Sequence, residues 1–336
     1  MNHLSSLHHT KVSYGVLISF QHTDVGQLWS FMLGIDLPRK PSKQTNPISK
    51  TVRRIGIHCS TKGALENAAL EARRLGANCL QIFSSSPRMW RASIPDPARI
   101  LEMAALRRQN NLFPLVIHAS YLINLATIEP LIREKSIECF RGELERAVAI
   151  GAEFLVIHPG NYKGQTLHRG IAGFVLGTAE AAAGLETSGV TILLENTVGS
   201  GAQIGSRFEE LRMIRDLLAR EAPELKVGYC LDTCHLFASG FDITSEAGLE
   251  SAMLQADAVL GLAKVHLIHA NDSKGGLNSK LDRHQNIGQG KIGLEAFRRL
   301  LRHPKLREKP FILETPVDEE GDDRRNVQAL WAMIEE

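Results

Sequence analysis

The sequence contains no CxxC motif, and its five cysteines are odd in number and irregularly spaced. They are Cys59, Cys79, Cys139, Cys230 and Cys234. Secreted domains that depend on disulfides usually carry an even number of cysteines at recurring spacings. The pattern therefore argues against a disulfide framework and favours a reducing compartment, so we expect a cytoplasmic protein.

Long apolar runs and an excess of one charge are also missing. No apolar stretch approaches the roughly 20 residues that span a bilayer, so we expect no membrane partner. The 39 basic and 37 acidic residues leave a formal net charge of +2. A balance this close to neutral creates no general attraction for nucleic acid, and any such contact must come from a local basic surface.

The first fifty residues lack the regular apolar spacing of the rest of the chain. Their apolar run at residues 13–20 is short and poorly flanked for a signal peptide, and residues 38–50 are polar and rich in Pro, Ser and Lys. A transit peptide is the less favoured alternative. We expect residues 1–52 to form a flexible extension that function does not need, and residues 53–336 to form a single domain.

Eight short apolar stretches alternate with eight stretches of helical spacing from residue 53 onward. Such alternation implies parallel strands joined by crossover helices, and eight units in about 280 residues match a (β/α)8 TIM barrel. Gly76 and Gly151 are predicted to end two of the helices, while Ser206 and Glu209 predict a capping box for a helix at 207–220. A doubly wound open sheet is the alternative, but no glycine-rich phosphate turn is present.

Nearly every predicted strand ends in His, Glu or Asp. These residues are His58, His118, His158, Glu195, Asp232, His269 and Glu314. In a closed barrel such positions form a ring at the C-terminal mouth, where barrel enzymes carry out their chemistry. A lone strand-end His is more often hydrogen-bonded structure, and a lone acid is often a helix N-cap. The full ring instead indicates bound cations, because clustered carboxylates repel one another.

Three more potential ligands lie just beyond the strands. His235 follows Asp232 in the motif DTCH, and Asp282 and His284 lie in the loop after the seventh strand. Zinc takes about four ligands from His, Cys, Asp and Glu. Without His58, the strand-end and loop residues make nine candidates, which are too many for one zinc ion and, with sharing, suit three. Four carboxylates and three divalent ions give a net positive cleft, which suits an anionic substrate such as a phosphodiester.

These motifs give the chain a resemblance to the endonuclease IV (deoxyribonuclease IV) family, the zinc-dependent abasic-site endonucleases of DNA repair. The resemblance runs from about Gly56 to Glu335 and rests on GIHCSTKG, HASYLIN, HPGNY, LENTVGSG, CLDTCHLFASGFD, HANDSK, DRHQNIGQGKIG and ILETP. It implies hydrolysis of the phosphodiester 5′ to abasic sites in duplex DNA by a trinuclear zinc mechanism, leaving a 3′-hydroxyl. It also implies trimming of blocked 3′ ends, and no obligate protein partner is evident.

The resemblance further implies which residues hold the metal ions. His118 and His158 would hold one zinc ion, Asp232, His269 and Glu314 a second, and His235, Asp282 and His284 the third, with Glu195 bridging the first two. Glu195 and Glu314 would be the catalytic carboxylates. Manganese can occupy part of such a site.

The loop SSSPRMWR resembles the family loop that enters DNA at the lesion. Arg88 and Trp90 are at matching positions, whereas Met89 replaces a polar residue found in some members. An apolar side chain can still unstack DNA. We therefore expect Arg88, Met89 and Trp90 to contact DNA, together with Tyr121 of HASYLIN. For Trp90 the alternative is packing on its own loop.

Two other functions are open at this point. A single-metal sugar isomerase or epimerase of the same barrel superfamily would need only a quartet of ligands, namely Glu195, Asp232, His269 and Glu314. The other five ligands favour the trinuclear interpretation. A non-catalytic DNA-binding barrel would have little reason to retain all nine ligands.

Overall fold

Eight parallel strands close into a barrel in the computed structural model of the chain, which describes residues 53–335. The barrel strands are β1 (Ile55–His58), β2 (Cys79–Phe83), β3 (Leu115–His118), β4 (Phe154–Ile157), β5 (Thr191–Glu195), β6 (Lys226–Asp232), β7 (Val265–His269) and β10 (Phe311–Leu313). Ile55 of the first strand pairs with Phe311 of the last, which closes the sheet. The predicted (β/α)8 barrel is confirmed.

A two-stranded antiparallel ribbon lies outside the barrel sheet. It pairs β8 (Asp272–Ser273) with β9 (His284–Gln285). The sequence did not predict this ribbon, which spans the loop after the seventh barrel strand. The predicted extension, residues 1–52, lies outside the described residues.

Nine α-helices occur in the described part of the chain. They are α1 (Asn67–Leu75), α2 (Pro97–Gln109), α3 (Pro130–Ile150), α4 (Leu167–Ala182), α5 (Phe208–Glu221), α6 (Thr233–Ser239), α7 (Glu246–Leu260), α8 (Leu294–Arg302) and α9 (Asp322–Glu335). None of these helices has the length and apolar character needed to cross a membrane. The short α6, which follows β6 directly, was not predicted.

Three helix boundaries can be compared with the glycine and capping-box signals in the sequence. Gly76 and Gly151 end α1 and α3 in the left-handed conformation, with φ of 84° and 73°, as predicted. The capping-box prediction is wrong, because Arg207 precedes the first residue of α5 and no side chain caps it. Glu210 instead accepts a hydrogen bond from the backbone N–H of Gly205 at 2.6 Å. The helix start is thus tied to the preceding loop.

Alternation along the barrel strands explains why polar residues meet at one end. One face of the strands contributes a separate buried cluster of Cys79, Val116, Phe154, Val156, Leu193, Cys230, Leu267 and Ile312. Side chains two positions apart on a strand point to the same face. A second interior layer therefore lies above this cluster, formed by Gln81, His118, His158, Glu195, Asp232, His269 and Glu314. The strand directions place that layer at the C-terminal mouth.

Candidate metal centre

Glu195 lies at the middle of the polar layer. It ends β5 and is fully buried. Its Oε1 is 2.8 Å from His269 Nδ1, and its Oε2 is 3.2 Å from His118 Nε2 and 3.4 Å from His158 Nε2. One carboxylate thus contacts imidazoles at the ends of β3 and β7 and immediately after β4.

The nine predicted ligands converge into three groups, and within each group the ligand atoms lie within 4.8 Å of one another. The groups are His118, His158 and Glu195; Glu195, Asp232, His269 and Glu314; and His235, Asp282 and His284. Glu195 belongs to the first two groups. Each group could hold a metal ion, because all its members are His, Asp or Glu.

Backbone carbonyls fix the ring orientation of three of the five histidines. His118, His235 and His284 each place Nδ1 at 2.8, 2.9 and 3.1 Å, respectively, from a main-chain oxygen. Because a carbonyl oxygen only accepts, Nδ1 must carry the hydrogen. Nε2 of each ring is then the atom that faces the centre, where it can bind a cation in place of a proton, the arrangement that metal-binding histidines commonly show.

Unpaired ring nitrogens also fit a metal centre. His158 Nδ1 and His284 Nε2 are buried and have no hydrogen-bond partner among residues 53–335. His284 Nε2 lies 3.6 Å from Asp232 Oδ2 and 3.7 Å from Asp282 Oδ1, too far for hydrogen bonds. The spacing from Asp282, a member of the same group, is expected between ligands of one ion whose bonds measure about 2.0–2.2 Å. The donor set therefore fits zinc.

The carboxylates of the centre are held in the ionised form. Burial by itself raises the pKa of Glu195, but His158 and His269 lower it well below its usual value. Burial likewise opposes ionisation of Glu314, whose pKa the imidazole of His269 nevertheless lowers to about 2. For Asp282, burial is outweighed by a hydrogen bond from His235, and the pKa falls to about 2. These three carboxylates are consequently negatively charged at neutral pH and can bind cations.

The histidines respond to the same carboxylates. Burial lowers the pKa of His235, but Asp232 and Asp282 raise it to about 10. Burial also lowers the pKa of His269, yet nearby Cys230, Glu314 and Glu195 raise it well above its usual value. His158 differs, because burial keeps its pKa below the usual value. In every group of ligands, at least one carboxylate thus acts on the pKa of a histidine.

The four predicted DNA-contact residues lie in different environments. Met89 is 52% exposed and Tyr121 is 69% exposed, and Arg88 is exposed as well. The Tyr121 ring lies 5.8 Å from that of His118, so it adjoins the first group of ligands. Trp90 is half-buried and packs against the hydrophobic core.

The loop that carries Met89 is fixed at several points. Arg146 Nε donates to Ser84 Oγ at 2.7 Å, and its Nη1 donates to the carbonyl oxygen of Ala92 at 3.1 Å. Between these points, Ser120 Oγ donates to the carbonyl oxygen of Pro87 at 2.8 Å. Arg146 itself is buried on α3. No local sequence pattern indicates these long-range anchors.

A cavity of about 270 Å³ opens beside the metal centre. Its lining includes Tyr121, Asn124, His158, Asn161, Gln203 and Asp282. The cavity therefore joins ligands of two groups, the half-buried His158 and the exposed Asp282, to the rim residue Tyr121. Its lining also includes the apolar side chains of Ile123 and Ile157.

Three carboxamides that the sequence reasoning overlooked join the ligands. Asn271 Nδ2 donates to Asp232 Oδ2 at 2.6 Å, and Asn196 Oδ1 accepts from the backbone N–H of Asp232 at 2.7 Å. Gln81 contacts His269 and Glu314. A polar residue within the apolar strand CLQIF was the available signal for Gln81.

Comparison with known proteins gives close relatives along most of the chain. The sequence model of the family described as Xylose isomerase-like TIM barrel matches residues 69–335. A protein named Probable endonuclease 4 from Solibacter usitatus is 60% identical over 280 residues, which cover 83% of this chain and 96% of that protein. Endonuclease 4 from Thermus thermophilus is 40% identical over 286 residues, covering 84% of this chain and 99% of that protein.

Solved structures give the same fold. The crystal structure of endonuclease IV from Thermus thermophilus matches with a TM-score of 0.74 at 37% identity, covering 84% of this chain and 99% of that chain. A D-tagatose 3-epimerase-like protein matches with a TM-score of 0.60 at 20% identity, covering 84% and 97%. At that lower identity the likeness concerns the fold alone.

Proposed function

The chain belongs to the endonuclease IV family of xylose isomerase-like TIM barrels, and from this membership we propose that it is a DNA repair endonuclease. Its substrate is duplex DNA with abasic sites or blocked 3′ ends. It hydrolyses the phosphodiester 5′ to the abasic sugar and leaves a 3′-hydroxyl. Residues 53–336 form the catalytic domain in this proposal, and residues 1–52 are an extension.

Convergence of nine ligands at one barrel mouth carries the proposal. Three zinc ions would be held by His118 and His158, by Asp232, His269 and Glu314, and by His235, Asp282 and His284, with Glu195 shared between the first two. When bound, zinc supplies Lewis acidity to the phosphate and its leaving oxygen and activates water for attack. Manganese can replace zinc in part of such a centre.

The chain's own residues bind and orient the nucleic acid. Glu195, which is fully buried, and Glu314, which is half-buried, are ionised and would hold the metal ions in place. Arg88 supplies a positive charge at the rim for the DNA backbone, and Met89 presents an exposed apolar side chain that can enter the gap left by a missing base. Tyr121 lies between the rim and the first group of ligands.

A sugar isomerase or epimerase is the second candidate. Glu195, Asp232, His269 and Glu314 form one group of ligand atoms, which would be enough for a single-metal enzyme. The five remaining ligands have no role in that chemistry. The two candidates therefore differ in the number of ions that each chain binds.

The decisive experiment combines elemental analysis with a nicking assay. Purified full-length protein is expected to bind close to three zinc ions and to nick a duplex carrying one abasic site, but not the same duplex undamaged. Chelation should abolish nicking, and added zinc should restore it. One ion per chain, no nicking and interconversion of ketose epimers would overturn the proposal. If the protein does not nick the abasic duplex before chelation and still binds it with the same affinity after chelation, it is a non-catalytic DNA-binding barrel.

A further inference from the structure

Gln81 lies beside the predicted metal ligands, and every polar atom of its side chain is engaged. It is fully buried on β2, in the interior layer that carries the ligands. Its Nε2 lies 2.5 Å from Glu314 Oε1 and 3.1 Å from His58 Nδ1, and its Oε1 lies 2.8 Å from His269 Nε2. One neutral side chain thus joins two predicted ligands and a third strand-end residue.

The orientation of this amide follows from its partners. The carboxylate of Glu314 accepts, so the Gln81 group that faces it must be the NH2. The amide oxygen then faces His269, whose Nε2 must carry the hydrogen. A flipped amide would bring two oxygens together at Glu314, so this carboxylate fixes the orientation. His58 Nδ1 accepts the second amide hydrogen.

This contact reverses the usual ring orientation at one ligand. His118, His235 and His284 donate Nδ1–H to backbone oxygens and turn Nε2 toward the centre. His269 instead commits Nε2–H to Gln81, and its Nδ1 lies 2.8 Å from Glu195 Oε1 and 3.4 Å from Glu314 Oε2. Only Nδ1 of His269 can therefore serve the second group of ligands.

We propose that Gln81 is a positioning residue of the metal centre, which selects Nδ1 of His269 as the metal-binding atom and fixes Glu314 relative to it. The inference deepens the proposed function and rests on it. Gln81 acts through these two ligands and touches no substrate. His58 supports the arrangement by accepting the remaining amide hydrogen.

The thiol of Cys230 is the rival partner for His269. Cys230, Glu195 and His269 place potential ligand atoms within 4.8 Å of one another. A thiol is a weak hydrogen-bond partner compared with an amide oxygen. Gln81 also reaches Glu314, whereas no hydrogen bond joins Cys230 to that carboxylate among the described residues. The geometry thus favours Gln81 as the positioning group.

The test compares Gln81→Leu with wild type in the full-length, zinc-loaded protein. The substitution keeps the approximate size of the side chain and removes all three hydrogen bonds. We expect one zinc ion per chain to bind about 10- to 100-fold more weakly in competition with a chromophoric chelator. The kcat for nicking should fall while KM for the abasic duplex stays within about twofold, because the DNA-contact residues are unchanged.

Nitrogen-15 spectra of labelled histidines give a readout independent of catalysis. In the wild type, His269 should be zinc-bound through Nδ1 with a hydrogen on Nε2, the reverse of His118. Gln81→Glu is a second variant that retains an acceptor for His269 but loses the donor to Glu314. It should keep the His269 pattern and still bind zinc more weakly, which separates the two contacts if the leucine variant fails to fold.

Cys79→Ala is the matched control, since Cys79 lies two residues earlier on the same face of the same strand. It should leave zinc affinity unchanged.

Unaltered zinc affinity in both Gln81 variants, or wild-type His269 bound through Nε2, would overturn the inference while the nuclease proposal stands. Weaker zinc binding in Cys230→Ala but not in Gln81→Leu would assign the positioning role to the thiol. A wild-type chain that binds no zinc would overturn both proposals.

Discussion

Glu195 connects two groups of ligands through its two carboxylate oxygens. Oε1 faces His269, while Oε2 faces His118 and His158. The side chain is fully buried, and the surrounding imidazoles keep its pKa well below the usual value despite burial. A full negative charge is therefore maintained at the point where the two groups meet.

Glu195→Gln should remove this charge while preserving the shape of the side chain. We expect at least one zinc ion per chain to be lost and nicking to fall by more than about 100-fold, because altering even an outer partner of a ligand costs about 10- to 100-fold. Elemental analysis and single-turnover nicking measure the two effects. Glu102→Gln, at an exposed glutamate of α2, is the control. Zinc content and rate both close to wild type would refute the bridging role.

Met89 and Trp90 are neighbours with different environments. Met89 is exposed at the mouth, whereas Trp90 packs against the core with Lys135 Nζ 6.0 Å from its ring centre. The candidate DNA contact, Met89, and the structural contact, Trp90, are thus adjacent residues of one loop.

Alanine substitutions should distinguish the two environments. Met89→Ala should weaken binding to an abasic duplex about tenfold, since losing a stacking contact costs about 1–3 kcal/mol, and leave the unfolding free energy unchanged. Trp90→Ala should lower the unfolding free energy by about 1–3 kcal/mol, less than for a fully buried aromatic. Fluorescence anisotropy and urea denaturation report these quantities. The opposite pattern, with Trp90→Ala affecting only DNA affinity, would identify Trp90 as the contact.

The loop between β9 and α8 is organised around one buried carboxylate. Asp272 accepts backbone N–H groups of Gly288, Gly290 and Ile292 at 2.9–3.1 Å. Position 290 must be glycine here, because a Cβ would lie 2.3 Å from Asp272 Oδ1. Since β9 begins with His284, Asp272 also anchors the segment that presents a predicted metal ligand.

Asp272→Asn should weaken this loop, because an amide has only one acceptor oxygen. Its NH2 group would face backbone N–H groups of the loop, and two donors cannot form a hydrogen bond with each other. We expect a loss of about 1–3 kcal/mol in unfolding free energy, the range for leaving buried polar groups unpaired. Urea denaturation measures it. Asp96→Asn, at the exposed N-cap of α2, should have a smaller effect. Equal losses in the two variants would mean that the buried carboxylate has no special part in stability.

The barrel and the position of its ligands follow from local patterns. Each ligand-bearing strand repeats an apolar interior residue two positions before a His, Asp or Glu, as Leu193 precedes Glu195. The short helix α6 was not predicted, although its cap is local, because Asp232 accepts the backbone N–H of His235. Its second contact is not local, since Thr233 Oγ1 donates to the carbonyl oxygen of Asn271 on a later segment. That contact exists only in the closed barrel.

The misassigned capping box has a similar cause. Ser206 and Glu209 have suitable spacing, but a cap also requires that the chain enter the helix at the right residue. Here α5 begins one residue later than that motif requires, and Glu210 bonds to Gly205. The anchors of the Met89 loop were missed because Arg146 lies about sixty residues further along the chain, beyond any local pattern.

The metal centre links strands from around the barrel, so metal binding and folding should be coupled. The nine ligands come from segments between residues 118 and 314 and meet only in the folded chain. A ligand that binds the folded state alone stabilises it by about 4 kcal/mol per site when its free concentration is about 1,000 times Kd.

Chelation should therefore lower the melting temperature of the full-length protein by several degrees, and added zinc should restore it. Differential scanning calorimetry with and without EDTA provides the measurement. EDTA saturated beforehand with zinc controls for direct effects of the chelator. A melting temperature that does not respond to chelation would show that the ligands are held together by the barrel without help from metal.

The tethered Met89 loop has a consequence for how damaged DNA would be selected. Arg146 and Ser120 immobilise the segment, so the protein offers a stiff edge to its substrate. The DNA duplex must then change its shape to fit the loop, and bending a site smoothly costs about 1–6 kcal/mol. A helix already weakened by a missing base bends and opens more cheaply than an intact one. The proposed nuclease would therefore distinguish damaged from intact DNA by how easily the duplex bends at the lesion.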